Sequence, residues 1–143
     1  MEKGVRIADP QVAWHARQRH LLQARYADRR LGDVLDTWRG IGAWDRSVIV
    51  VTSDHGESLG QHGEDTHAVL VYDSTLRVPW IVRLPDGPSG RRISSPVSQV
   101  DLVPTLLDLM HQDMPDHVQG TSRADVLERG GSLEGNDVVV EWN

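Results

Sequence analysis

The fold of this chain is decided by residues 47–56, which read SVIVVTSDHG. The β-branched run from Ser47 to Thr52 is typical of a strand that is buried on both faces, as the central strands of parallel sheets are. The run ends abruptly in polar residues. Since ligands bind outside the carboxyl ends of the strands in open α/β sheets, Asp54 and His55 lie where a site is expected.

A long helix is predicted before this strand, from Asp9 to about Gly42. Asp9 can cap the helix, Pro10 fits its first position, and two glycines near its end provide a stop. Its apolar side chains follow a three-to-four spacing that is most regular at Leu31, Val34, Leu35 and Trp38. The spacing is poorly phased between residues 23 and 27, so a break in the helix there remains an alternative.

Alternating strand and helix signals continue after the polar loop and predict an α/β fold with a mixed, mostly parallel sheet flanked by helices. Three further strands are predicted, at 78–82, 93–97 and 138–142. Two further helices are predicted, at 101–110 and 122–129. Asp101 or Ser98 is expected to cap the first of these two helices.

The composition of the chain excludes several classes of protein. The 143 residues carry a net charge of −6, which argues against a nucleic-acid-binding protein, and no apolar run approaches the about 20 residues of a membrane span. Cys is absent, which excludes disulfides, thiolate metal sites and Cys nucleophiles. The length predicts at most one domain, and the polar start shows no secretory signal, which favours the cytoplasm if Met1 is the true start.

The loop after the predicted strand concentrates side chains that can bind metal ions. They are Asp54, His55, Glu57, His62, Glu64, Asp65 and His67. A carboxylate and an imidazole that are adjacent at a strand end can face one cation, but two ligands alone bind divalent metals weakly. The residues thus leave two interpretations open: a metal site, and a solvated charged loop with unrelated histidines.

Residues 48–63, VIVVTSDHGESLGQHG, resemble the metal-binding segment of sulfatases, within the alkaline phosphatase superfamily. Further segments are similar to this family in the same order: YDSTLRVPWIV at 72–82, VSQVDLVPTLLDL at 97–109, QGTS at 119–122 and VEWN at 140–143. The resemblance covers about Tyr26 to Asn143 around a metal loop at 53–67, and residues 1–25 match weakly. It implies an alkaline-phosphatase-like fold that is incomplete in this chain, and the hydrolysis of sulfate monoesters.

The resemblance also implies roles for three residues. Asp54 and His55 resemble the second pair of protein ligands to a divalent active-site metal, either calcium or manganese. His at the second position is commoner in phosphonate monoester hydrolases and favours manganese. His67 is similar to the His that contacts the sulfate oxygens or the leaving group, and is therefore the candidate catalytic and substrate-binding residue, as a general acid or an oxyanion donor.

Other residues near the loop are interpreted as structural. Arg77 is expected to form a salt bridge or support the loop, His62 to support the loop, and Glu57 to lie at the surface or behind the ligands. His15, His20, His111 and His117 lie outside the matched loop and are expected at the surface.

The sulfatase resemblance implies a formylglycine nucleophile, which is made from Cys or Ser in a C/S-x-P-x-R segment. The chain has no Cys, and the stretch SSPVS at 94–98 has Ser98 where Arg is required. No Asp-Asp pair is present either. The sequence therefore predicts a fragment that lacks the nucleophile and the N-terminal half of the domain, and that is inactive alone.

The implied partners are a small-molecule sulfate ester and the missing N-terminal half of the domain. Self-association is also expected, because a sheet without its N-terminal strands exposes apolar edges. Two alternatives remain: a phosphodiesterase or phosphonate monoester hydrolase of the same superfamily, and a non-catalytic module that retains the fold.

Overall fold

The computed structural model of the chain describes residues 9–61, 71–133 and 138–140. Its elements are, in chain order, α1 (Pro10–Gly40), β1 (Ile49–Thr52), α2 (Asp73–Leu76), β2 (Trp80–Arg83), α3 (Leu102–Leu109) and α4 (Ala124–Arg129). Short 3-10 turns at Trp44–Arg46 and Gln99–Asp101 precede β1 and α3. The chain divides into two compact units, which comprise Met1–Asp45 with Val51–Ile81, and Arg46–Val50 with Val82–Asn143.

The first unit contains α1, and this helix confirms the capping signals in the sequence. The Gln11 backbone N–H donates to Asp9 Oδ1 at 2.8 Å, and Pro10 occupies the first helical position. The helix runs without a break through residues 23–27. Every residue from 17 to 30 is exposed in the described structure, so the helix does not depend on a phased apolar stripe there. Its Ala, Leu, Arg and Gln residues are strong helix formers. Among the described residues, no helix is long and apolar enough to cross a membrane.

The predicted strands at 47–52 and 78–82 form as β1 and β2, which pair with each other. The Arg83 guanidinium, at the end of β2, donates to the carbonyl of Ser47, which precedes β1, at 3.0 Å. The two strands therefore run in opposite directions. Within the described ranges this antiparallel pair is the one sheet present, and a mostly parallel sheet stays a prediction.

Two expectations about strands need correction. The residues of β1 are half-buried, with Thr52 exposed, rather than buried on both faces. No strand forms at 93–97, where the Ser95 hydroxyl instead accepts the Leu133 backbone N–H at 3.2 Å. Residues 138–140 are described and irregular, and 141–142 lie outside the described residues.

The second unit contains the predicted helices as α3 and α4. Ser98 makes no side-chain capping bond at the start of this helical segment, and neither does Asp101, contrary to the prediction. The Asp101 carboxylate accepts the Thr121 backbone N–H at 2.9 Å and two guanidinium N–H groups of Arg123, each at 2.8 Å. Asp101 is only 3% exposed. Its hydrogen bond to Thr121 joins the start of α3 to the QGTS stretch, and its buried ion pair with Arg123 joins it to the start of α4.

Candidate functional site

The predicted site begins where β1 ends, and its turn is held by local hydrogen bonds. The Ser53 hydroxyl donates to the His55 carbonyl at 2.8 Å, and the His55 backbone N–H donates to Asp54 Oδ1 at 3.0 Å. That N–H lowers the pKa of the Asp54 carboxyl, and attraction to the His55 ring lowers it further. Asp54 is therefore ionised at neutral pH, in the form that binds a cation.

The His55 ring is oriented by its own chain. Its Nδ1 lies 2.7 Å from the Gly56 carbonyl oxygen. Because a carbonyl only accepts hydrogen bonds, Nδ1 carries the proton, and Nε2 of the neutral ring keeps its lone pair. This is the arrangement that metal-binding imidazoles commonly adopt.

The two predicted ligands lie side by side. His55 Nε2 is 3.8 Å from Asp54 Oδ2, and the ring and the carboxylate are 43% and 87% exposed. One ion with two metal–ligand bonds of about 2.0–2.2 Å each can span this separation. The structure therefore brings Asp54 and His55 together in a geometry that fits two ligands of one accessible cation.

The loop after His55 is attached to the turn of helix α2. The Gly56 backbone N–H donates to the Thr75 carbonyl at 2.8 Å. The Ser58 hydroxyl, which is 1% exposed, pairs with the Ser74 hydroxyl at 2.9 Å. On its other side the loop meets α1, where the Arg17 side chain donates to the Leu59 carbonyl at 3.0 Å. The described part of the loop is thus held by α2 through Gly56 and Ser58, and by α1 through Leu59.

The remaining predicted site residues divide into two groups. Arg77 pairs with Asp73 at 3.9 Å at the surface, which confirms the expected salt bridge, and Glu57 is half-buried. His62, Glu64, Asp65 and His67 lie outside the described residues. In the part of the chain that is described, no group of three or more His, Asp or Glu side chains could hold a metal ion.

Sequence reasoning missed the residues that hold the loop: Ser58, Ser74, Thr75 and the short helix α2. Nothing in the local sequence marks Ser58 as buried, because it stands in a polar, Gly-rich run. The usable signal is that residues 72–82 resemble the sulfatase segment that follows the metal-binding one, although the resemblance alone does not predict a contact between the two.

Comparison with known proteins settles the family. The sequence model of the family described as Sulfatase matches residues 3–112. The chain belongs to the sulfatase family. It is 34% identical over 124 residues to an N-acetylglucosamine-6-O-sulfatase of Bacteroides thetaiotaomicron, covering 84% of this chain and 22% of the relative. It is 28% identical over 132 residues to an ulvan-active sulfatase of Formosa agariphila, covering 85% of this chain and 26% of the relative.

Solved structures extend this relation to the fold. A phosphonate monoester hydrolase of Agrobacterium radiobacter superposes with a TM-score of 0.68 at 34% identity, over 76% of this chain and 21% of that one. A protein solved with its substrate D-glucosamine-2-N,6-O-disulfate superposes with a TM-score of 0.62 at 34% identity, over 76% of this chain and 22% of that one. The fold is therefore alkaline-phosphatase-like. The sulfatase chain spans about a quarter of the length of the curated relatives named above.

Sulfatases generally use a divalent metal together with formylglycine. The donor set at the end of β1 fits part of such a metal site, because it offers an ionised carboxylate and an imidazole nitrogen with its lone pair available on one accessible edge. The fit is limited to these two ligands among the described residues.

Proposed function

We propose that this sulfatase chain is the metal-binding part of a hydrolase of small-molecule sulfate monoesters, and that Asp54 and His55 are two ligands of its divalent metal, calcium or manganese. The observation that carries the proposal is the 3.8 Å separation between His55 Nε2 and Asp54 Oδ2, at an exposed strand end inside the region that the family model matches. A carboxylate and a neutral imidazole suit a hard or borderline ion.

The residues of this chain prepare the site for an anionic substrate. A bound divalent metal supplies Lewis-acid polarisation of a sulfuryl oxygen and a template for the substrate. The His55 backbone N–H lowers the pKa of the Asp54 carboxyl below its ordinary value, and the Gly56 carbonyl keeps the His55 proton on Nδ1. Both groups are exposed, so a sulfate ester can approach them from solvent.

His67 is proposed as the catalytic and substrate-binding residue of this chain. Its resemblance to the sulfatase His supports contact with the sulfuryl oxygens or protonation of the leaving oxygen. Protonation of the leaving group by a positioned His is general acid catalysis, which contributes about 10²–10⁴-fold to a rate.

The nucleophile is proposed to come from the N-terminal half of a sulfatase domain. The chain contains no Cys, and SSPVS at 94–98 departs from the formylglycine segment at Ser98. Since catalytic groups that act as a unit lose most of their effect when one is removed, the chain alone is expected to be inactive.

A second candidate function is the hydrolysis of phosphonate monoesters. Two phosphonate monoester hydrolases, from Silicibacter pomeroyi and Agrobacterium radiobacter, superpose with TM-scores of 0.64 and 0.68 at 34% identity. His55 at the second ligand position also favours this branch.

A graft tests both candidates. Residues 26–143 of this chain, the range of the resemblance, replace the matching segment of the Bacteroides N-acetylglucosamine-6-O-sulfatase. The same residues replace their counterpart in the Agrobacterium phosphonate monoester hydrolase. We expect the folded sulfatase graft to hydrolyse sulfate esters, and D54N, H55A or H67A to reduce its kcat/KM by at least 100-fold. The control is the double variant D116N/H117A, which removes a second, exposed Asp-His pair and should leave the rate unchanged.

The two grafts also separate the candidates. Activity in the phosphonate hydrolase graft together with a folded but inactive sulfatase graft favours the second function. Two folded grafts that are inactive towards both ester types contradict both, and support a non-catalytic module.

A further inference from the structure

We propose that Gly56 and the Ser58–Ser74 hydroxyl pair form a positioning relay, in which helix α2 sets the orientation of the His55 ring for metal binding. The metal-binding purpose of this relay rests on the function proposed above. The relay itself is carried by contacts that involve neither a metal nor a substrate.

The first contact lies between the His55 ring and the carbonyl of the next residue, Gly56. The Nδ1–H of His55 donates to the Gly56 carbonyl oxygen at 2.7 Å, which fixes both the tautomer and the rotation of the ring. A hydrogen bond from the second nitrogen of a metal-binding imidazole commonly has this purpose. The orientation of the Gly56 carbonyl therefore determines where Nε2 points.

The second contact holds Gly56 on the other side of its Cα, through the peptide group that links it to His55. The Gly56 N–H donates to the Thr75 carbonyl at 2.8 Å, across 19 positions of sequence. A Cβ at position 56 would lie 2.2 Å from the Ser74 carbonyl oxygen and 3.2 Å from the Thr75 Cα. Only glycine leaves room for this approach, so Gly56 is held between His55 and the backbone of α2.

The third contact holds the loop against α2. The hydroxyls of Ser58 and Ser74 are 2.9 Å apart, and Ser58 is 1% exposed. Thr75 is buried as well, and its hydroxyl donates to the Tyr72 carbonyl at 2.9 Å, which closes the α2 turn. Ser58 is buried and its hydroxyl needs a partner, whereas Ser74 is half-buried. Removing either serine breaks the bond between the loop and α2 and loosens the approach of Gly56 to Thr75.

The test uses the full 143-residue chain with ¹⁵N-labelled histidine. Long-range ¹H–¹⁵N spectra show which ring nitrogen of His55 carries the proton, with H55A used to assign the signal. Mn²⁺ is then added, and the concentration that half-broadens the His55 signal is recorded. The variants are S58A, S74A, the double variant S58A/S74A, and G56A.

A matched control separates positioning from stability. Thr105 lies in the other compact unit and is 2% exposed, and its hydroxyl accepts the Arg123 backbone N–H at 3.0 Å. T105V removes this hydroxyl. T105V should lower the melting temperature, as S58A does, and should leave the His55 tautomer unchanged. If G56A fails to fold, the serine variants decide the outcome.

We expect the wild-type ring to be protonated at Nδ1, and S58A and S74A to shift it towards protonation at Nε2. We also expect the half-broadening concentration of Mn²⁺ at His55 to rise about tenfold or more, with the double variant no worse than either single one. The relay is overturned if wild-type His55 is protonated at Nε2, or if the serine variants lower the melting temperature without changing the tautomer. The serine variants can change the His55 tautomer as expected while Mn²⁺ fails to broaden the wild-type His55 signal. That result supports the relay and contradicts the metal site proposed above.

Discussion

At the scale of single residues, the ion pair between Asp101 and Arg123 is more deeply buried than the other ion pairs of the described residues. The two side chains are 4% and 14% exposed, and both oxygens of the Asp101 carboxylate accept hydrogen bonds. Sequence reasoning assigned Asp101 to a cap because it precedes a helix. It could not predict the ion pair, since the partner lies 22 positions away and nothing local distinguishes Arg123 from the surface arginines.

Removal of the Arg123 side chain should be strongly destabilising. R123A leaves the Asp101 carboxylate buried without its cation, so we expect a loss of about 3–5 kcal/mol in the free energy of unfolding. Urea denaturation measures this change. The control is R129A, which breaks an exposed pair with Asp125 and should cost less than about 1 kcal/mol. Equal losses in the two variants would contradict the buried pair.

Gly120 gives a second prediction at this scale. It has φ of +94°, and a Cβ there would lie 2.3 Å from the Val100 carbonyl oxygen. Gly90 has φ of +70°, and a Cβ there would meet no atom within 4 Å. G90A should therefore lower the free energy of unfolding through backbone strain alone, by about 1–2 kcal/mol. G120A should lower the free energy of unfolding clearly more than G90A, because the clash adds to the strain. A smaller loss in G120A than in G90A would show that the close approach to Val100 is not maintained in solution.

At the scale of elements, agreement between sequence and structure depends on how local the signal is. Helix α1 and strand β1 are specified by adjacent residues, namely a cap, a proline and a β-branched run, and both form. The predicted strand at 93–97 does not form, and among the described residues no strand pairs with it, because pairing is not encoded within a segment. The pair Asp54–His55 was found from residue type and position, whereas its attachment to α2 depends on contacts between distant segments.

The cap of α1 can be tested directly. D9A removes the acceptor of the Gln11 N–H and should destabilise the helix by about 1 kcal/mol, with a loss of helical signal in circular dichroism. S98A is the matched control, because Ser98 precedes the turn before α3 without making a side-chain capping bond. Helical signals that fall equally in both variants would contradict a specific role for Asp9.

At the scale of the whole molecule, α1 presents large apolar side chains to solvent. Leu21, Leu22 and Tyr26 are 54%, 64% and 65% exposed. Exposed apolar surface of this kind drives association with another surface. The prediction of self-association therefore concerns the helix as well as the sheet edges.

Sedimentation velocity over a range of concentrations tests this prediction. We expect the weight-average sedimentation coefficient to rise with concentration, and L22E or Y26E to reduce the rise. Q23E is the control, since it adds the same charge at an exposed polar position of α1. A single monomeric species with a cooperative melt at all concentrations would contradict self-association.

The most direct test of the central claim is a Mn²⁺ titration of the 143-residue chain, in which electron paramagnetic resonance measures the free ion. The proposed metal site predicts binding that weakens at least tenfold in D54N and in H55A. It predicts unchanged binding in D116N/H117A, where an identical Asp-His dipeptide is removed from another exposed loop. Equal Mn²⁺ affinity in all four proteins would contradict the assignment of Asp54 and His55 as metal ligands.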